Sequence, residues 1–139
     1  MRKKRKPLSK KKLLRRLRNK AYKLWRQAIL TKWDSQCVFC GDTVLPNAHH
    51  IVPKVFASLR YDSINGIILC PRNHKFNDRF SAHKNSLWFV ALLVSRMPKG
   101  ELKYLMRMMN KEGRNKLTID VNYYEEAIRK LEDEKRRKE

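Results

Sequence analysis

The chain has 139 residues, a net charge of +21 and a hydrophobic content of 42%, which suits one compact domain with a modest core. Its longest apolar run, Leu87 to Val94, is eight residues. That is far short of the roughly 18 that span a bilayer, so neither a membrane span nor a membrane partner is expected. Three cysteines, two of them in Cys37-Val38-Phe39-Cys40, argue against a disulfide framework and for metal binding.

The charge is concentrated at the start. Residues 1–36 carry 15 Lys or Arg against one acid, Asp34; residues 37–90 carry 6 against 3; residues 91–139 carry 13 against 9. A basic block of this kind favours a polyanion, most simply a phosphate backbone. Residues 1–10 are too charged to fold alone and read as a disordered basic arm. The charged start lacks the apolar stretch of a signal peptide, so an intracellular protein is expected. From about Ser9 to Trp33 the pattern turns helical. Leu13, Leu17, Ala21, Leu24 and Ala28 recur at spacings of 4, 4, 3 and 4, widened by Leu14, Trp25 and Ile29, and Ser9 suits the N-cap. This basic amphipathic helix forms a unit over residues 11–36. Its basic faces can lie along a phosphate backbone or simply be solvated.

Residues 37–47 read as a tight metal-binding turn, punctuated by Gly41 and Pro46-Asn47. Ala48 to Val52 reads as a short strand, Pro53 to Ser63 as a loop and Gly66 to Leu69 as a second strand. Pro71 opens a helix through about Phe80. Beyond it, Ser86 to Met97 is an apolar helix stopped by Pro98 and Gly100. Residues 99–110 form a short helix with Leu102, Leu105, Met106 and Met109 inward. A last helix starts at Asp120, a good N-cap, and frays from Glu132 onward. The class is α+β, with the order strand, loop, strand, helix at its centre.

The chemistry-bearing residues are Cys37 and Cys40, then Ala48-His49-His50-Ile51-Val52-Pro53, then Asn65-Gly66-Ile67-Ile68-Leu69-Cys70, then His74. Phosphodiester hydrolysis needs an activated water, neutralisation of developing charge and help for the leaving oxygen. A histidine near its ordinary pKa of roughly 6.5 is a natural base at neutral pH. Adjacent strand residues point to opposite faces, so one histidine of the pair can hold metal while the other approaches the phosphorus. An asparagine at the start of the second strand can hydrogen-bond a backbone carbonyl or the base itself.

These residues resemble the HNH endonuclease family, of the kind common in phages and mobile elements. The resemblance is carried by His49-His50-Ile51-Val52-Pro53, by Asn65 before a strand ending in Leu69-Cys70, and by His74 in the following helix. It covers about residues 37–85. It implies a ββα-metal core, placed within residues 37–97; residues 98–139, which the resemblance does not reach, read from their own pattern as a helical extension. It implies His50 as general base, Asn65 as the residue that orients it, and His49 and His74 as ligands of a divalent metal (Mg2+, Mn2+, Ni2+ or Zn2+). The implied substrate is double-stranded DNA, cut to leave 5′-phosphate and 3′-hydroxyl ends. The alternatives are a non-catalytic zinc-binding module for nucleic acid, or a nuclease subunit of a phage packaging or recombination complex. A homodimer or a phage protein complex is compatible with either.

The sequence departs from the family at one position. Zinc-stapled members carry Cys-x2-Cys twice, whereas the second pair here reads Cys70-Pro71-Arg72-Asn73. Three arrangements stay open. Cys37, Cys40 and Cys70 can hold structural zinc with water or another residue; His74 can complete a Cys3His site; or the cysteines can pack as small apolar groups. His83 is a further candidate, at the scissile phosphate or the metal. Asp78, four residues after His74, falls on the same helical face, as a third ligand or as the partner of a surface ion pair with Arg79 or Lys75. Arg72, Lys75, Arg79 and Lys84 surround the expected site and suit phosphate contacts. Trp25, Trp33, Trp88, Phe89 and Tyr104 read as core.

Overall fold

The computed structural model describes residues 7–112 and 117–139; the expected disordered arm therefore lies, for residues 1–6, outside the described residues. Helix α1 spans Lys10–Lys32, with the Ser9 side chain accepting the Lys12 N–H. It ends at Trp33, after which Asp34 and Ser35 take positive φ angles of 51° and 55° and turn the chain. The face it buries is Ala21, Trp25 and Ile29, one turn apart, with the leucines of the expected stripe only partly covered.

Strands β1 (Asn47–His49) and β2 (Ile67–Leu69) pair antiparallel, with Ala48 opposite Ile68 and His49 opposite Ile67. Three further helices follow: α2 (Ser86–Arg96), α3 (Lys99–Glu112) and α4 (Val121–Arg136). Asn85 caps α2 through the Trp88 N–H, and Asp120 caps α4 through the Tyr123 N–H. Alternation along β2 divides the molecule into two cores. Ile68 packs with Trp25 and Ile29 of α1 and Tyr124, Ile128 and Leu131 of α4. Ile67 and Leu69 pack with Cys37, Cys70, Leu92, Leu93 and Leu105 on the other side. Each fully buried leucine or isoleucine contributes about 1.5–3 kcal/mol. The result is an α+β arrangement with a small two-stranded sheet between helical layers. Among the described residues no helix is long and apolar enough to cross a membrane.

Three expectations are corrected by the packing. The helix expected from Pro71 through Phe80 is a five-residue π-helical turn, Arg72–Phe76. Asn77 ends it in an extended conformation, and its Oδ1 accepts the N–H groups of Arg79 and Phe80, both at 2.9 Å. A side chain that offers the backbone a local partner competes with the helix ladder. Met106 is 61% exposed rather than inward. α4 does not fray at Glu132, because Leu131 is buried and Glu132 pairs with Lys20 of α1 at 2.7 Å.

α1 crosses β2 very closely at Gly66. A Cβ placed there would lie 2.6 Å from Ile29 Cδ1 and 3.0 Å from Trp25 Cζ2, and both side chains are fully buried. Overpacking of this kind costs about 1–3 kcal/mol. Gly66→Ala is expected to lower the thermal midpoint by roughly 3–10 °C, read by circular dichroism; an unchanged midpoint would show that the crossing is looser than described.

Candidate active site and metal centres

The two histidines of the pair part company at the end of β1. His49 is the last strand residue and faces the core that contains α2, its ring edge-on to Phe89 at 5.1 Å between centroids. His50 lies just beyond the strand and faces α1, where its ring stacks on Trp25 with centroids 3.8 Å apart and planes 10° from parallel. The opposite-face expectation therefore holds, although the strand stops before His50.

His49, His74 and His83 bring one ring nitrogen each to within 4.8 Å of one another. Nε2 of His74 and Nε2 of His83 are 3.2 Å apart. Two nitrogens on one tetrahedral zinc, each about 2.0–2.1 Å from it, are about 3.3–3.4 Å apart, so the pair is at ligand spacing. The backbone sets this up: the Ala82 N–H bonds Asn73 O and the His83 N–H bonds His74 O, folding the segment after the π-helical turn back on itself. Burial pushes His49 down to about 3, helped by the neighbouring His74, His83 and His50 and by Lys54. Burial, His83 and Lys75 push His74 down as well. Neutral imidazoles are what a metal requires. Three histidines leave a fourth position for water or substrate, the pattern of catalytic rather than structural sites.

His50 is held at its other end. Its Nε2 is 2.8 Å from the backbone carbonyl of Arg60. A carbonyl only accepts, so Nε2 carries the proton and Nδ1 keeps its lone pair. Burial, with the charges of Lys54 and Arg60, pushes its pKa down to about 4 against the bond to Arg60 O, which raises it. Of the two kinds of partner open to Asn65, a backbone carbonyl or the His50 ring, it takes backbone carbonyls. It is fully buried; its Oδ1 accepts the Val52 N–H at 2.7 Å, and its Nδ2 donates to Val52 O and Leu59 O. It staples the loop that presents Arg60 O.

Two grooves meet at His50. One is lined by His49, His50, His74, His83, Tyr22 and Lys54. The other is lined by His50, Tyr22 and Lys54 together with Arg18, Arg60 and Tyr61. No carboxylate lines either. Arg18 comes from the basic face of α1 that was open to a phosphate backbone, whereas sequence reasoning missed Lys54 and Arg60 as site cations, since nothing in the spacing of loop residues marks them. Of the four expected phosphate contacts, Arg72, Lys75, Arg79 and Lys84, none lines these grooves. Lys84 is tied to Asp78 at 2.7 Å and to Phe76 O. Asp78, outside the short turn, points to solvent and is not on the face of His74.

The second centre is the cysteine turn. Cys37, Cys40 and Cys70 bring their sulfurs within 4.8 Å of one another and can hold a metal such as zinc. Gly41 takes a φ of 75° and returns its N–H to Cys37 O, and the Val38 N–H bonds Ile68 O of β2, so the turn is seated on the sheet. Burial pushes the Cys37 thiol up, but the N–H groups of Cys40, Cys70 and Phe39 outweigh it and hold the thiol below its ordinary value. Desolvation and the neighbouring sulfurs push Cys40 up to about 11, against the pull of the Asp42 backbone. Cys37 is thus the more acidic of the two thiols, and a cation between them would favour deprotonation of both. His74 faces the histidines, not these sulfurs, so a Cys3His site is not formed.

Comparison of the chain with family models, curated proteins and solved structures returns no match. The site is therefore read from its own geometry.

His49 and His50 have pKa values below that of an unfolded histidine, so the unfolded chain binds more protons than the folded one between about pH 3 and 6.5. The stability of the metal-stripped protein is fully present above that window and is lost as pH falls through it. Urea midpoints across the window are expected to fall with pH, and His50→Phe to make the fall shallower. A flat profile would show these rings to be solvated.

Proposed function

We propose that this chain is a metal-dependent HNH-type endonuclease that hydrolyses phosphodiester bonds in DNA. The observation that carries the reading is the convergence of His49, His74 and His83 beside His50, whose Nδ1 is free, in a groove flanked by cations and without a carboxylate. The order β1, β2, π-helical turn, with the cysteine turn seated on β2, supports a ββα-metal core.

His49, His74 and His83 are the residues that would hold a divalent cation, which supplies charge neutralisation at the phosphorane and the departing oxygen. Three imidazoles suit Zn2+ or Ni2+ better than Mg2+. His50 takes the proton of the attacking water at Nδ1. The imidazolium so formed keeps its Nε2–H on Arg60 O and its ring on the Trp25 face, both of which favour the positive charge. With a pKa of about 4 the base is deprotonated throughout the neutral range. A substrate phosphate between Lys54 and Arg60 offsets two of the charges that weaken it, so binding strengthens the base. Arg18, Lys54 and Arg60 hold the phosphate next to the scissile one, and such backbone contacts carry no sequence information directly.

The test is supercoiled plasmid incubated with Mg2+, Mn2+, Ni2+ or Zn2+. Wild-type protein is expected to nick or linearise it, fastest with Zn2+ or Ni2+. EDTA is expected to stop the reaction, and a folded His50→Ala variant to lose about 10²–10⁴-fold in rate. If no metal supports cutting while the protein still shifts DNA at low salt, the chain is a nucleic-acid-binding module and not an enzyme.

The groove cations make a separate prediction. Arg18→Gln and Lys54→Gln are each expected to reduce the slope of log K against log salt by about 0.9 on duplex DNA, measured by fluorescence anisotropy in EDTA. Unchanged slopes would place the DNA elsewhere on the surface.

A further inference from the structure

Asn73 stands where a thiolate would complete the second Cys-x2-Cys pair, and it is 5% exposed, so its amide must be satisfied within the protein. Its Nδ2 donates to the Phe80 carbonyl at 2.7 Å. Because a carbonyl only accepts, that bond fixes which end of the amide is which. The end facing the sulfurs is Oδ1, 3.1 Å from Cys70 Sγ and 3.5 Å from Cys37 Sγ, while Cys40 Sγ lies 3.7 Å from Cys70 Sγ. A tetrahedral zinc with Zn–S of about 2.3 Å and Zn–O of about 2.0–2.2 Å has S–S edges of about 3.8 Å and S–O edges of about 3.5 Å. Two of the three separations lie within a few tenths of an ångström of these edges; the third, 3.1 Å, is shorter. Three sulfurs within 4.8 Å of one another, with an amide oxygen against two of them, are all acceptors when the sulfurs are thiolates, a set that a cation would satisfy.

We propose that Asn73 Oδ1 is the fourth ligand of a Cys3Asn zinc site with Cys37, Cys40 and Cys70. An oxygen donor of this kind is neutral, so the loaded site carries a charge of −1 where four thiolates would give −2. Zinc is held less tightly and exchanges more readily than in a four-cysteine staple. The same amide anchors Phe80, three residues before His83, so occupancy of this site steadies the segment that delivers His83 to the other centre.

The metal-stripped full chain titrated with Co2+ tests the assignment, because the thiolate-to-cobalt charge-transfer band reports cysteine ligands and ignores the histidines. Wild type is expected to bind one cobalt with this band. Asn73→Cys is expected to raise the band by about one third, four thiolates in place of three, and to tighten binding. Asn73→Asp keeps the oxygen and the band. Asn73→Ala, shown folded by circular dichroism, is expected to lose at least about 10-fold in affinity. A folded Asn73→Ala that binds cobalt as wild type does, or an Asn73→Cys band that stays at the three-thiolate intensity, would overturn the assignment. So would a wild type with no such band, in which case Oδ1 merely accepts S–H bonds from Cys37 and Cys70. The readout does not depend on cutting DNA, so loss of the nuclease reading and loss of this one are separate results.

Discussion

The indole of Trp25 connects the helical frame to the chemistry. It is fully buried, donates its Nε1–H to Asp62 O at 3.0 Å, and presents its face to the His50 ring. Asp62 in turn accepts the Tyr104 hydroxyl from α3 at 2.6 Å. One side chain on α1 therefore fixes the His50 ring, the inter-strand loop and, through Asp62, a helix from the opposite layer. A ring stacked on one face and bonded at Nε2 is held in one orientation, as the proposed base would need if its lone pair is to meet a water at a fixed distance. Gly66 is part of the same constraint, since only a residue without a side chain lets α1 come close enough for the stack.

The two centres are electrostatic opposites built from one segment of chain. The histidine centre has neutral donors only and is flanked by Lys54, with Arg18 and Arg60 in the adjoining groove. A dication there would keep its whole charge, and an anion from outside would complete the site. The cysteine centre would supply negative charge of its own once a cation had displaced its thiol protons. Residues 70–83 supply Cys70 and Asn73 to one and His74 and His83 to the other. Neighbouring residues on this turn point to different centres because the π-helical turn, with its wider ring of backbone bonds, splays them apart.

Much of this was legible in the sequence where the cause is local. α1 begins at Ser9 and α4 at Asp120 because a cap is a contact between near neighbours. The cysteines, His49 and His74 stood out because such residues at such spacings have few other uses. The remainder depends on contacts between distant residues or with backbone atoms. No spacing rule places the Arg60 carbonyl against His50, since every residue has a carbonyl. His83 becomes a third imidazole only because Asn77 breaks the helix and the chain doubles back. Asn65 carried a clear signal for a hydrogen bond to a backbone carbonyl or to His50, and which of the two it makes is decided by the loop that brings Val52 and Leu59 to it. Asn73 was read as an absence, a missing thiolate, because the orientation of an amide is set by Phe80 seven residues on.

α4 follows every residue of both centres in chain order, yet it covers the flank of α1 from which Trp25 reaches the base. A ribosome therefore releases the basic helix, the histidines and the cysteine turn before the helix that closes over Ala21, Trp25 and Ile29. The emerging chain passes through a stage in which a cationic, amphipathic helix lacks its apolar partner, and closure must bring together segments far apart in sequence. That step is slow relative to local helix formation and leaves apolar surface open meanwhile.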